Sequence, residues 1–267
     1  MLLAEPLDQA TGLRRLFTPA PPFHAIGVLC PDPARGARAS LALARGLARR
    51  GGKVLVLDEI KPPHNVSGQM DLLQRPLRID RNAGMLEGMT LGSGVELINV
   101  QTGIRDLAAL DEDTLIGLTD AWDTDAPEWM LVHGGADGLA AMADLRVLVV
   151  PGSKSRLAQA YALMKSVLAI RPGGVWQVLV TDAEAVVAEA LFRSLADTAQ
   201  RFLGQSPGYL GCLPQQTAAA AEADLSALLA TDAIEPVGFA QFWQRAWLFS
   251  HKAPVPSVMQ AKHARRL

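Results

Sequence analysis

The segment that joins the first apolar run to the first helical pattern lies where a phosphate-binding loop would lie. It spans positions 30–40 and reads CPDPARGARAS. A working loop of this kind uses glycines whose N–H groups wrap the phosphates, a lysine on the β- and γ-phosphate oxygens, and a Ser or Thr on magnesium. This segment has one glycine, two prolines and no lysine, and Asp32 would repel a phosphate. These residue types predict a degenerate phosphate site.

Five residues are the candidates for any nucleotide binding that remains. Arg35 or Arg38 could bind an anion at the helix N-terminus, although a planar guanidinium is a poor substitute for the lysine. Two interpretations stay open: a connecting loop without a ligand, and nucleotide binding without efficient hydrolysis. We predict no catalytic residue, no metal ligand and no cofactor, with ATP and magnesium as the alternative. The candidates are Arg35, Gly36, Arg38, Ser40 and Asp58.

Short apolar runs alternate with helical patterns along most of the chain. Several runs are almost continuous Val, Leu and Ile, which is typical of strands covered on both faces. Helices are predicted at 37–50, 155–170 and 183–203. The alternation predicts βαβ crossovers, and hence a doubly wound α/β domain with a mostly parallel sheet of about seven or eight strands. The runs are 24–30, 53–58, 95–100, 129–133, 146–151, 176–181 and 209–214.

Composition divides the chain into four parts and limits its partners. We expect an N-terminal segment with a proline-rich linker at 1–22, the α/β domain at 23–236, an aromatic helix at 237–250 and a basic disordered tail at 251–267. The formal net charge of −2 gives no argument for a nucleic-acid partner. No apolar stretch approaches the ~18 residues of a membrane span, so we expect a cytoplasmic protein. The two cysteines are predicted to be small buried hydrophobes.

Several segments together carry a family resemblance. Positions 8–16 read DQATGLRRL, 47–58 read LARRGGKVLVLD, and 146–165 read RVLVVPGSKSRLAQAYALMK; 183–204 and 209–214 add a final helix and strand. In this order the segments resemble the MinD/ParA group of P-loop ATPases. Within that group the chain is similar to the flagellar-number regulators FlhG and FleN, whose N-terminal segment reads DQAxGLRRL.

The resemblance implies a partner for the N-terminal segment. In that family the segment activates FlhF, an SRP-type GTPase that places the flagellum. The alternative is a short helix folded back on the core of the chain, although the proline connector would hold it away. A homodimer, or a heterodimer with an active paralogue, also stays open. The residues implied in partner binding are Asp8, Gln9, Gly12, Leu13, Arg14, Arg15 and Leu16.

The chain departs from the family pattern at three chemical positions at once. The lysines of the phosphate loop are absent, and the second strand ends Asp58-Glu59-Ile60 where the family has Asp-x-Asp. His133 stands where the family strand runs into a magnesium-linked aspartate. Two acids remain nearby, Asp32 and Asp137, but neither is in register with a known role. We therefore predict a pseudo-ATPase, with a weak ATPase that uses Arg35 or Arg38 as the alternative.

The last helical pattern has an aromatic face. Positions 239–249 read FAQFWQRAWLF, and the helical period brings the aromatic residues together. Relatives bind membrane through a C-terminal amphipathic helix, so one interpretation is a peripheral membrane contact at the inner face of the membrane. The other is packing of this face onto the sheet. The membrane-contact candidates are Phe239, Phe242, Trp243 and Trp247.

Overall fold

A computed structural model describes residues 24–69, 89–90, 94–99, 127–215, 219–234 and 238–252. Within these ranges eight strands form one sheet, in the order β3-β4-β2-β5-β1-β6-β7-β8. Seven strands are parallel, and only the two-residue β3 runs antiparallel, against β4. The predicted fold class is confirmed. The strands are β1 His24–Leu29, β2 Val54–Asp58, β3 Met89–Thr90, β4 Val95–Asn99, β5 Trp129–Gly134, β6 Leu145–Pro151, β7 Val175–Thr181 and β8 Gly208–Leu213.

Helices cover both faces of the sheet. Strand side chains alternate between two buried apolar clusters, so that Leu57 and Val150 lie in one and Val56 and Val149 in the other. Helices α3, α4 and α6 contribute to the first cluster, and α1 and α5 to the second. The described helices are α1 Pro33–Arg49, α2 Val66–Gln69, α3 Leu157–Ile170, α4 Ala185–Leu203, α5 Ala219–Ala227 and α6 Phe239–Lys252, with 3-10 turns at Leu139–Met142, Lys154–Arg156 and Thr231–Ala233.

The largest difference from the sequence prediction is the start of α1. The helix was predicted from position 37, but it begins at Pro33 with Asp32 as its N-cap. Proline is favoured in the first helical turn because its missing N–H would have no partner there, and aspartate is a strong N-cap residue. The connection from β1 to α1 is therefore only the three residues 30–32. Such a connection is shorter than the eight-residue glycine-rich segment G-x-x-x-x-G-K-[ST] of a phosphate-binding loop.

Candidate functional site

The carboxyl ends of β2, β5 and β1 lie side by side and collect the polar residues. Asp58, the last residue of β2, is in register with His133 of β5. On the other side of β5, Leu29 of β1 is in register with Gly134, and Cys30 follows directly. In parallel sheets ligands bind beyond this edge, so it is the candidate functional site.

Asp58 and His133 form a buried pair. Their side chains are 0% and 1% exposed, and His133 Nδ1 lies 3.0 Å from Asp58 Oδ1. The Asp58 carboxylate also accepts hydrogen bonds from the backbone N–H groups of Ile60, at 3.1 Å, and Val66. The carboxylate is thus satisfied by groups of the chain itself. A general base must reach the proton that it abstracts, and this enclosed histidine has no such access.

Gly36 leaves room for the His133 ring. It lies in the first turns of α1 and is buried, and a Cβ at this position would come 2.5 Å from His133 Nε2 and 2.9 Å from the Cys30 Cβ. Glycine therefore lets the helix approach the ring of β5. Ser40, one turn further on, is buried too, and its hydroxyl donates to the Gly36 carbonyl at 2.9 Å. The Ser40 hydroxyl is turned into its own helix.

The backbone donors at the start of α1 are also used internally. The N–H groups of Arg35 and Gly36 both donate to the Asp32 carbonyl at 3.1 Å. The Asp32 side chain accepts from the same Arg35 N–H, at 3.4 Å. Since Pro33 has no N–H, these contacts leave little donor capacity for an external anion at this turn.

The two candidate arginines converge on a carboxylate that the sequence did not point to. Asp182 directly follows β7, and its oxygens lie 2.6 Å from Arg35 Nε and 2.5 Å from Arg38 Nη2. Arg35 also pairs with Asp32. The hydrogen bond to Asp182 raises the pKa of Arg35. Burial by itself would raise the pKa of Asp182, but the hydrogen bonds from the two arginines outweigh it and the pKa is lowered.

Glu59 is a second acid whose role was not predicted from the sequence. It follows β2 and accepts hydrogen bonds from the backbone N–H groups of Leu139, at 2.7 Å, and Ala140, at 3.3 Å. Gly134 and Gly138 leave space for its carboxyl, because a Cβ at either position would overlap it. Burial raises the pKa of Glu59 to about 7, against the lowering effect of the two N–H donors. Glu59 therefore caps the turn after β5.

The five predicted nucleotide-site residues do come together at one edge of the sheet, and each is engaged with other groups of the described chain. Sequence reasoning missed Asp182 and the bound role of Glu59. Both follow directly on a strand, so an inspection of every strand end would have found them. The proposed partner-binding residues at positions 8–16 lie outside the described residues.

The aromatic face of α6 packs on the sheet. Phe242 and Trp243 are 2% and 8% exposed and belong to the apolar cluster shared with α3 and α4, while Trp247 is half-buried against it. Arg245 on the same helix pairs with Asp144 at 2.9 Å. Phe242 and Trp243 were predicted as membrane-contact candidates, but in this conformation they are core residues. The side chain of Phe239 lies outside the described residues, and no described helix has both the length and the apolar character needed to cross a bilayer.

Comparisons with known proteins identify the fold. No family model matches the chain, and no curated protein matches it. Apo McdA from Cyanthece matches with a TM-score of 0.52 and 13% identity over 84% of this chain and 98% of that chain. A plasmid partition protein from Borrelia burgdorferi matches with a TM-score of 0.51 and 10% identity over 79% of this chain and 99% of that chain. A chain of the MinC:MinD cell division complex of Aquifex aeolicus matches with a TM-score of 0.50 and 13% identity over 87% of this chain and 98% of that chain. The chain therefore shares the fold of these three structures.

Proposed function

We propose that this chain is a cytoplasmic regulator that keeps a MinD/ParA-type fold without ATP hydrolysis. It controls flagellar number or placement by binding an SRP-type, FlhF-like GTPase through residues 8–16. The observation that supports the loss of hydrolysis is the three-residue connection between β1 and α1. Because α1 starts at Pro33, no loop is left to surround a triphosphate, and no lysine lies in positions 30–40.

The neighbouring polar groups support the same proposal. In a working site a hydroxyl holds magnesium and a carboxylate couples to the metal or to the attacking water. Ser40 instead donates to Gly36, and Asp58 is bound by His133, Ile60 and Val66. Hydrolysis would require these contacts to break in a buried environment, which costs about 1–3 kcal/mol for each unsatisfied group.

A weak ATPase that uses Arg35 or Arg38 is the enzyme alternative, and a fold shared with P-loop ATPases favours it. Both arginines, however, would first have to leave Asp182. Calorimetry with ATP and magnesium, followed by a phosphate-release assay, decides between the two. We expect no turnover. Turnover that is lost in the Arg35→Gln/Arg38→Gln variant would overturn the pseudo-enzyme proposal, whereas turnover that persists in this variant would exclude these arginines as substitutes for the lysine.

The proposed partner contact depends on the DQATGLRRL segment at positions 8–16. Leu13 and Leu16 are spaced to form an apolar anchor on a helix, and Gln9 with two arginines could reach a nucleotide site. We expect a peptide of residues 1–20 to bind the GTPase and stimulate its GTP turnover. The matched control is the same peptide with Gln9, Arg14 and Arg15 replaced by Ala. Absence of both binding and stimulation would contradict the partner proposal.

Dimerisation, with a second copy or with an active paralogue, is a further proposed partner mode, and light scattering with and without ATP tests it.

Peripheral attachment to the inner face of the membrane is a separate alternative. The burial of Phe242 and Trp243 in α6 does not favour it. Liposome sedimentation of the intact chain against a chain that ends before position 237 tests it, and equal sedimentation would remove this alternative.

A further inference from the structure

The turn between β7 and α4 places a carboxylate between two arginines of α1. We propose that Asp182 takes the place of a bound phosphate. Its carboxylate bridges Arg35 and Arg38 and so holds α1 at the end of β7 without a ligand. This inference deepens the proposed function, since it concerns the same degenerate site. It predicts that removal of the carboxylate creates a need for an external anion.

The geometry is that of a bridging oxyanion. One oxygen of Asp182 lies 2.6 Å from Arg35 Nε, and the other lies 2.5 Å from Arg38 Nη2. Charge-assisted bonds of this kind are the ones that arginine makes with phosphate as well as with carboxylate. Arg38 Nε, in addition, is a buried N–H without an acceptor among the described residues. The arginine pair therefore has more donor capacity than the carboxylate uses.

The backbone of the turn is set up to hold this carboxylate in place. Asp182 has a φ of +59°, and no other non-glycine residue in the described ranges has a positive φ. A left-handed conformation is unfavourable for an L-residue and persists only where the surroundings fix it. Here the Asp182 N–H donates to the Leu213 carbonyl at 3.0 Å. Gly152 packs against the same turn, where a Cβ would come 2.7 Å from the Asp182 carbonyl oxygen.

The charges of the group balance only with Asp182 present. Two cations, Arg35 and Arg38, face two carboxylates, Asp32 and Asp182. Because the pKa of Asp182 is lowered, its carboxylate stays ionised at neutral pH and competes with any external anion. Replacement by asparagine leaves one uncompensated positive charge and keeps a residue type that tolerates the left-handed region. A phosphate group is the ligand that this arrangement would accept.

The test is a chemical rescue on the full chain. We expect Asp182→Asn to lower the Tm by about 2–4 °C, and 10 mM inorganic phosphate or AMP to restore it. The wild type, with its own carboxylate in place, should gain much less from either compound. A larger gain with AMP than with phosphate would assign the phosphate group to a nucleotide. Calorimetry should show at least tenfold tighter phosphate binding by the variant than by the wild type.

Two controls and one alternative variant keep the inference falsifiable. Asp197→Asn on the exposed side of α4 makes the same charge change and should show no rescue. In Asp182→Asn/Arg38→Gln the rescue should disappear. If Asp182→Asn does not fold, Asp182→Gly removes the backbone strain and carries the same test. Equal effects of phosphate on wild type and variant would overturn the inference. Hydrolysis of ATP by the wild type would overturn only the proposed function.

Discussion

The sheet has a buried charged group at each of its two edges, and the two are satisfied to different degrees. At the carboxyl edge, the Asp58 carboxylate has three donors: His133 Nδ1 and two backbone N–H groups. At the amino edge, Arg146 is fully buried, and its Nη1 donates to the carbonyls of Gly173, at 2.7 Å, and Arg171, at 3.4 Å. Its Nε and Nη2 have no acceptor within the described part of the chain.

The two edges therefore differ in how many of their buried polar atoms have a hydrogen-bond partner. Arg146 also lies against the Trp176 ring, whose centroid is 5.3 Å from its guanidinium carbon, and burial lowers the pKa of Arg146 to about 10. At the carboxyl edge, where ligands bind in such sheets, the Asp58 carboxylate has a donor for each of its two oxygens within the described part of the chain. Loss of a partner should therefore cost much more at the carboxyl edge than at the amino edge.

The largest effect is expected from Asp58→Ala. The substitution leaves His133 and two backbone donors without an acceptor in a buried place, which should lower the free energy of unfolding by about 3–5 kcal/mol. Urea denaturation followed by circular dichroism measures this. Asp137→Ala, at an exposed position beyond the same edge, is the control and should change stability by less than about 0.5 kcal/mol. Equal costs for the two variants would remove the contrast between buried and exposed acids.

At the amino edge, Arg146→Met should be neutral or stabilising, by up to about 1–4 kcal/mol. The reason is that an apolar side chain of similar length removes the desolvation cost of a buried cation and its unpaired N–H groups. The carbonyls that it releases belong to the half-buried Arg171 and the exposed Gly173, which water can reach. The same denaturation assay applies, with Arg193→Met at an exposed position of α4 as control. A loss of several kcal/mol would show that the two edges are alike.

Glu59 predicts a pH dependence of stability. Its pKa rises from 4.5 to about 7 on folding, so the folded chain holds a proton that the unfolded chain releases. The free energy of unfolding should therefore fall as the pH rises from about 4.5 to 7, by at most about 1.4 kcal/mol per unit. Glu59→Gln should remove this slope, as urea titrations at several pH values would show. A wild-type slope that survives the substitution would contradict the assignment.

The smallest expected effect is the reactivity of Cys30. Burial raises the pKa of its thiol to about 12, so very little thiolate is present at neutral pH. Alkylation by iodoacetamide, followed by mass spectrometry of the Cys30 peptide, should be at least about 100-fold slower in the folded chain than in guanidinium chloride. Fast alkylation of the folded chain would mean that the carboxyl edge is open.

The sequence predicted the architecture well because burial on both faces leaves a direct pattern. The seven apolar runs became the seven parallel strands, with ends that shift by one residue at most. The start of α1 was missed by four residues, since Asp32 and Pro33 were interpreted as loop residues although both are typical of a helix start. The aromatic face of α6 could not be assigned from its period alone, because an apolar stripe serves a sheet and a membrane equally well.

By itself, the sequence determined the alternation of strands and helices, the absence of lysine from positions 30–40 and the presence of the DQATGLRRL segment. Only the tertiary structure decided which groups satisfy one another. Arg38 meets Asp182 across 144 positions of the chain, and Asp58 meets His133 across 75. These pairs depend on the strand order, which brings the ends of distant segments to one edge of the sheet. Local sequence does not encode that order, because the backbone hydrogen bonds between parallel strands follow the same pattern whichever two strands are neighbours.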